Sequence, residues 1–585
     1  GLSNTNEYEF TVENTGTINA NYKITLDNTC VIDKTFTVNG ENIKPDKCIP
    51  NKYIKVALKE GNKSYEVLEY DENNNEDYII ETNTINFSSS KTYKMKIWLD
   101  YDTPNAYNSK GGLNILYIGK LGLSYEQGNN ITPNRPILSS NMIPVYYDEN
   151  SSSWRKADEN NKVKKYKWYN YDEKMWANSV TVSETNRSKY QSANLGTEIP
   201  MNDILTMEVW IPRYKYKVFN YNSDGTKTSS PQQIEITFEK ENKNTSEISC
   251  QDAISGTEGK PSETCKLKET NATCTDSLCN NKTYTHPAFT FGNDEIKGFW
   301  IGKFELTGTI SSITIKPNLS SIRSQTVSSF ETNIMNMKNN NNQYGFSTNT
   351  DTHMIKNSEW GAVAYLAQSK YGLNGANIYI NNVNLNNTIQ SVYAVTGCAG
   401  ATENASAVAT TITELNNRTT SGVYVWTQKS GTKASTTGTI YGIYDMSGGT
   451  WERTAGLVNN GNENLTKYGQ SLMNALNNGK SSKYVTAYPY DLSVDKNGAN
   501  MDTASTANWK ANTKIYGDGI RETSTAGTGK TSWYTDYSYF PAVYGPFSGR
   551  GGTLWDGEGA GLFYFNRNNG NSNYNNGFRS VLVAQ

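Results

Sequence analysis

YGIYDMSGGTWERTAG occupies residues 441–456. Two apolar residues, Ile443 and Met446, bracket Asp445. The pair Gly448 and Gly449 then lets the chain turn where a side chain would clash. Upstream, NSEWGAVAYLAQSKYG holds the one clear helix pattern. Trp360, Val363, Ala364 and Ala367 form an i, i+3, i+4, i+7 stripe, Ser358 or Asn357 can cap it, Lys370 falls in the last turn and Gly372 can stop it. Around these pieces the chain is rich in Gly, Asn and Thr, with short apolar segments such as Phe299, Ile301, Phe304 and Leu306. A domain with so few helices and so much loop is unusual.

The residues 441–456 resemble the G-hydrophobic-x-D-M-x-G-N-V-W-E-W segment of the formylglycine-generating-enzyme (sulfatase-modifying-factor) superfamily, whose fold is C-type-lectin-like. SGRGGTLW and NNGFRSVLV, near the end of the chain, resemble that family's terminal R-G-G-x-W and G-F-R segments. WYTDYSYFP at 533–541 and DTHMIKNSEWGAVAYL at 351–366 resemble pieces of its Gram-positive surface and prophage branch. The resemblance covers about residues 285–585, and segments from Asn141 to Pro212 are similar to that branch's N-terminal extension. It implies structural roles for Asp445, Met446, Trp451, Glu452, Arg550, Phe578 and Arg579. Asp445 is expected to accept backbone N–H groups, Trp451 to fill the centre, and buried Arg579 to satisfy a carboxylate or carbonyls.

The segment GTLWDGEGAGLFYFNRNNGNSNYNNGFR, residues 552–579, resembles the variable region of proteins diversified by diversity-generating retroelements. The resemblance implies a ligand-binding face built from Thr553, Leu554, Trp555, Asp556, Glu558, Tyr564, Arg567, Asn569, Asn571, Asn573 and Tyr574, with Asn566, Asn568, Asn569, Asn571, Asn573, Asn575 and Asn576 as template-type positions. An Asn-rich invariant loop is the other reading of the same residues. Trp555, Phe563, Tyr564 and Tyr574 offer rigid aromatic area, and Asp556, Glu558 and Arg567 offer directional contacts. Phe563 and Phe565 alternate with Tyr564, which assigns Tyr564 outward.

Further out, the first domain reads as β. Tyr8, Phe10 and Val12 alternate with polar residues, Asn14-Thr15-Gly16-Thr17 is turn-rich, and Tyr22, Ile24 and Leu26 alternate again, which predicts a hairpin. Tyr93, Met95, Ile97 and Leu99 repeat the pattern, and an apolar stretch runs from Leu113 to Leu123. These strands predict a β-sandwich over 1–125. EYEFTVENTGTINANYKITL, TYKMKIWLDYDTPN and IGKLGL resemble camelysin-like biofilm-fibre proteins of Gram-positive surfaces. Residues 126–136, with Gly, Asn and two Pro, read as a linker. Residues 137–284 read as an aromatic-rich extension with a Cys-containing insertion. The expected architecture is thus an N-terminal all-β sandwich followed by a loop-rich α+β C-type-lectin-like domain.

The chain has 585 residues, too many for one hydrophobic core, and a net charge of −2, which leaves no electrostatic footprint for nucleic acid. Charged residues are only 19%, and Asn, Thr, Ser, Gly and 40 Tyr fill the gap; this suits strands, turns and binding surfaces, and equally an AT-rich genome. No apolar run is long enough to span a bilayer, and no signal peptide is visible, so a processed or truncated N-terminus is expected, which leaves room for an upstream anchor. Cys30 with Cys48, and the cluster Cys250, Cys265, Cys274 and Cys279, suit disulfides in an oxidising place. A four-cysteine zinc site is the rival, without the tight Cys-x2-Cys spacing zinc favours.

No catalysis is expected. Family oxidases carry paired active-site Cys, and here Cys398 stands alone in the domain. His286 and His353 are the only His, too few for a three-His iron site, and no G-x-S-x-G turn accompanies them. Asp536 and Glu452 form no pair that spacing predicts. No metal or cofactor is expected, save a structural calcium, which Glu452 with backbone carbonyls would hold. The expected function is a ligand-binding adhesin or receptor on the outside of a bacterial cell, its partner a protein or glycan on another cell, host or phage. A fibre or pilus-like subunit is the alternative, and a formylglycine-type oxidase stands behind both.

Overall fold

Alternating apolar and polar residues put one face of most N-terminal strands inside. In the computed structural model these strands are β1 (Glu7–Asn14), β2 (Ala20–Asn28), β3 (Ile54–Glu60), β4 (Glu66–Leu68), β5 (Tyr78–Ile85), β6 (Ser89–Leu99) and β7 (Gly119–Gln127). The model describes the chain except residues 1–4, 16–19, 69, 71–77, 86–88, 108–112, 128–131, 220–229, 254–261, 276–277, 385–393, 401–407, 410–422, 492–497, 499, 513–515 and 585. The described residues are β-rich, 37% strand and 16% helix. The chain divides into two units, Gly1–Ile131 and Thr132–Gln585.

In the first unit the strand orders are β1-β6-β3-β4 and β7-β2-β5, and both sheets contribute to one core that includes Val12, Tyr22, Ile24, Leu26, Val56, Tyr78, Tyr93 and Met95. The hydroxyls of Tyr22 and Tyr93 meet between the sheets. The hairpin expected from β1 and β2 does not form. β1 pairs with β6, and β2 with β5 and β7, so the chain changes sheet between Asn14 and Ala20. Alternation reports which face is buried and says nothing of the partner strand. Cys30 and Cys48 are bonded. The apolar run ending at Leu123 lies partly in β7, an end strand. Leu121, Leu123 and Tyr125 sit opposite Leu26, Ile24 and Tyr22, yet Leu123 is 54% and Tyr125 75% exposed.

The second unit is built around a seven-stranded antiparallel sheet. Its strands are β8 (Ile143–Asp148), β9 (Ser153–Lys156), β10 (Asn178–Val182), β11 (Ile204–Pro212), β12 (Gly298–Gly302), β13 (Asp351–Met354) and β19 (Ser580–Val583), in the order β9-β8-β10-β11-β12-β19-β13. Strands from both sides of residue 285 thus share one sheet. A second sheet has the order β15 (Thr486–Tyr488), β14 (Trp451–Val458), β16 (Phe547–Gly551), β17 (Gly561–Asn568), and β18 (Asn576–Phe578) also pairs with β14. The two units part after Ile131, inside the linker expected at 126–136. β7 runs to Gln127, and Asn134 is buried, its amide donating to Glu241 O (2.7 Å) and Lys297 O (3.0 Å). In the insertion, Cys250 pairs with Cys265 across a hairpin, and Cys274 with Cys279, so the zinc alternative falls.

Among the described residues, five α-helices stand where one was expected: α1 (Glu184–Gln191), α2 (Val327–Met335), α3 (Asn357–Gln368), α4 (Asn464–Ala475) and α5 (Met501–Ala511). Thr326 caps α2 and Asn500 caps α5 through side-chain oxygens. Helix α3 is buried on all sides except at Ser358, so its apolar stripe is only part of its contact surface. Its N-cap is Lys356, whose N–H donates to the Glu359 carboxylate at 2.8 Å, and neither Asn357 nor Ser358 caps it. Lys370 lies past its end.

Candidate ligand-binding site

Strand β14 carries Trp451 on one face and Glu452 on the other. Glu452 goes inward. Both its oxygens accept from Arg579, whose remaining N–H groups donate to Gly302 O (2.7 Å) and Tyr444 O (2.9 Å). That ion pair engages both oxygens of the carboxylate. Asp445 accepts from Gly397 N–H (2.8 Å) and the Asn381 amide (2.9 Å), and Met446 and Phe578 are fully buried. Gly448 and Gly449 have φ of 81° and 70°; a Cβ would meet Asn381 O at 2.2 Å in one and a Glu305 carboxylate oxygen at 2.5 Å in the other. Arg550, also buried, donates to Asp518 O (2.9 Å) and Gly519 O (3.1 Å).

Trp451 does not fill the centre. Its indole forms a wall of an open pocket of about 530 Å³, and its N–H donates to Asp556 at 2.9 Å. The same Asp556 oxygen accepts from Thr553 N (2.7 Å) and Thr553 Oγ1 (3.1 Å), which fixes the carboxylate at the rim. Strand β17 supplies Tyr564, Asn566 and Asn568, and the strand alternation that sends Phe563 and Phe565 into separate cores turns these three toward the pocket. Tyr537, Tyr539, Tyr544 and Gly545 close another side, and Met501 of α5 completes it. Arg567 lies over the Tyr539 ring and donates to Asp502 (2.7 Å) and Ser505 (2.7 Å), which orients it along the wall.

The predicted face is therefore only partly a face. Asp556, Tyr564, Arg567 and Asn569 line the pocket. Tyr564, assigned outward, turns to that side but is buried beside Tyr537; burial and the nearby Asp556 charge hold its phenol well above the usual range. Thr553 and Leu554 are buried, the latter against Ala394, and are removed as contact residues. Asn571 and Asn573 brace their own loop: Asn571 O accepts from Arg453, Asn573 O from Ser324 N–H (3.1 Å), and the Asn573 side chain from Asn575 N–H (2.8 Å). Trp555 and Tyr574 are exposed at 43% and 38%, and Glu558 pairs with Lys530 at 2.6 Å on the surface.

Sequence reading missed Tyr537, Tyr539, Tyr544 and Met501. The signal was present in WYTDYSYFPAVY, four Tyr of which Tyr537, Tyr539 and Tyr544 follow at spacings of two and five, but their convergence on β17 comes from Tyr539 N–H donating to Phe565 O (2.9 Å) and Phe565 N–H to Tyr537 O (3.1 Å).

Other candidate chemistry is tied up in the interior. His353 lies between Glu359 (2.9 Å) and Asp351 (3.3 Å). Burial opposes its charge, but the two carboxylates prevail and hold the imidazole up at about 9. Burial pushes His286 down to about 3. The Cys398 thiol is buried, unbonded and pushed up by desolvation and the Asp445 charge. Asp536 is buried and pushed up to about 8, accepting from Phe563 N–H at 2.9 Å. No protein-family model matches the chain, and no curated protein matches it.

Proposed function

We propose that residues 132–585 form a C-type-lectin-like ligand-binding module of an extracellular bacterial surface protein, with its site at the pocket between β14, β17 and the Tyr537–Tyr544 loop. The observation that carries this reading is the convergence of Trp451, Tyr537, Tyr539, Tyr544 and Tyr564 with the polar groups of Asp556, Arg567 and three Asn on one concavity. Rigid aromatic walls with a few fixed polar groups are the composition of binding sites. Tyr544, Trp555 and Tyr574, large apolar side chains exposed to solvent, come from the segments that make up this site. The three disulfides support an oxidising compartment. Asn566, Asn568 and Asn569 are pocket residues and template-type positions of the diversified-protein reading.

The test is attachment of the fluorescently labelled chain to a panel of bacterial cells, epithelial cells and phage particles. Attachment to at least one, lost in Trp451→Ala and Tyr539→Ala, is the expected outcome. Attachment indifferent to both substitutions would remove the pocket from the function. Long-read sequencing of the gene's 3′ end across cells of one strain tests diversification. Adenine-site substitutions clustered at codons 566–569 support it, and an invariant end removes it.

A fibre subunit is the second reading, favoured by β7, an end strand with apolar residues left open. Filaments in negative stain would support it.

A further inference from the structure

Among the described residues, four arginines are fully buried: Arg213, Arg453, Arg550 and Arg579. Arg213 pairs with Glu239 and Glu295, and Arg579 with Glu452. Arg550 uses two carbonyls and lies near the Asp518 charge. Arg453 differs. One of its nitrogens donates to Asn571 O, while Nε and Nη1 have no partner, and it makes no ion pair among the described residues. Desolvation pushes its guanidinium down to about 9. A buried cation left with open donors is costly unless something pairs with it.

Its position is informative. Arg453 sits directly opposite Gly549 of β16, which sits opposite Asn566 of β17, so all three face the same side of the sheet. Trp451 and its register partner Asn576 occupy that face two residues away. The Asn576 amide nitrogen is likewise buried without a partner. Gly549 leaves a hollow between Arg453 and Asn566. A Cβ placed there would have only Glu452 O within 4 Å, at 3.6 Å. Trp451, Asn566 and Asn568 line the pocket, so the hollow adjoins its wall.

We propose that Arg453, with the Asn576 amide, forms an oxyanion subsite beside the pocket, and that the ligand places a carboxylate or sulfate group in the hollow over Gly549. The proposal rests on reading the pocket as the ligand site. The open Nε–H and Nη1–H of the guanidinium, with the Asn576 amide, offer charge-assisted and neutral donors to the oxygens of such a group.

The test titrates the full chain with sodium sulfate, sodium acetate, glucuronic acid and glucose at constant ionic strength and pH 6.5. Tryptophan fluorescence and the thermal midpoint are the readouts. Saturable responses to the three anions at millimolar concentration, and none to glucose, are expected. Arg453→Met should weaken them roughly tenfold or more, the size of a lost charge-assisted pair, and Arg453→Lys less. Gly549→Val, which fills the hollow without touching the charge, should weaken them as well and serves if Arg453→Met fails to fold. Equal responses in Arg453→Met and wild type overturn the subsite, as does the absence of any saturable response. Responses to sulfate and acetate without glucuronic acid overturn the claim that the ligand carries the anion. Should Arg453 variants attach to cells as wild type does while Trp451→Ala does not, the subsite fails and the pocket stands; the reverse pattern fails the pocket alone.

Discussion

Arg579 has no exposed surface, and its charge is paired with Glu452 and two carbonyls, with the Asp445 and Glu305 carboxyls nearby. Removing one partner of a buried pair leaves the other uncompensated, at a cost of about 3–5 kcal/mol. Arg579→Met is therefore expected to lower the chemical-denaturation stability of the second unit by about that amount. Removing both charges in Arg579→Met/Glu452→Met should cost less than the sum of the single changes. Buried titratable groups also set a pH dependence. Burial raises Glu208 and Asp536 to about 8 and Glu331 and Glu522 to about 7, and His353 is held at about 9. Each bound proton is retained in the folded state above the pH at which the unfolded chain releases it. The stability each group contributes is thus full below its unfolded pKa and lost as pH rises through the folded value. Between pH 6.5 and 9 all five act in one direction, so the urea midpoint of the second unit should fall across that window. His353→Gln should flatten its upper part. At this scale Asp445 and Arg579 were legible because a buried charge must find a partner. Thr553, Leu554 and Trp451 were not, because which side chain is roofed depends on residues far away in sequence.

Helix α3 shows how an element's surroundings exceed its pattern. Its Gly361 lies so close to the Gly517 segment that a Cβ would stand 1.9 Å from Gly517 O. Gly361→Ala should therefore destabilise the second unit by about 1–3 kcal/mol, despite the better helix propensity of Ala, as read by the urea midpoint. The stripe in α3 announced a helix; nothing in it announced burial on every side. α4 and α5 were hidden because Thr, Ser and Asn interrupt their apolar spacing, and it is their capping and packing that hold them helical. In the first unit, the disulfide spans 18 residues. Cys30→Ser/Cys48→Ser should lower that unit's stability by about 3 kcal/mol through the larger entropy of the open loop.

For the whole molecule, the division at residues 131 and 132 has a direct consequence. A fragment of residues 132–585 should fold cooperatively, with native near-ultraviolet circular dichroism, and keep the pocket. A fragment of residues 285–585 lacks β8 to β11, four of the seven strands of the main sheet, and should be insoluble or molten, with exposed-surface dye binding. The sequence by itself determined the strand faces of the first unit, the helix α3, the pairing of cysteines within local groups, and the partnered interior roles of Asp445 and Arg579. The first three follow from periodicity and chain proximity, properties of nearby residues, and the last from the motif resemblance together with the cost of burying an unpaired charge. The tertiary structure alone decided that β1 and β2 lie in different sheets, that residues before 285 share a sheet with the C-terminus, and that Trp451 and Tyr564 meet Tyr537 and Tyr539 at one pocket. Those outcomes depend on which distant segments pair, a choice made by the summed fit of whole surfaces.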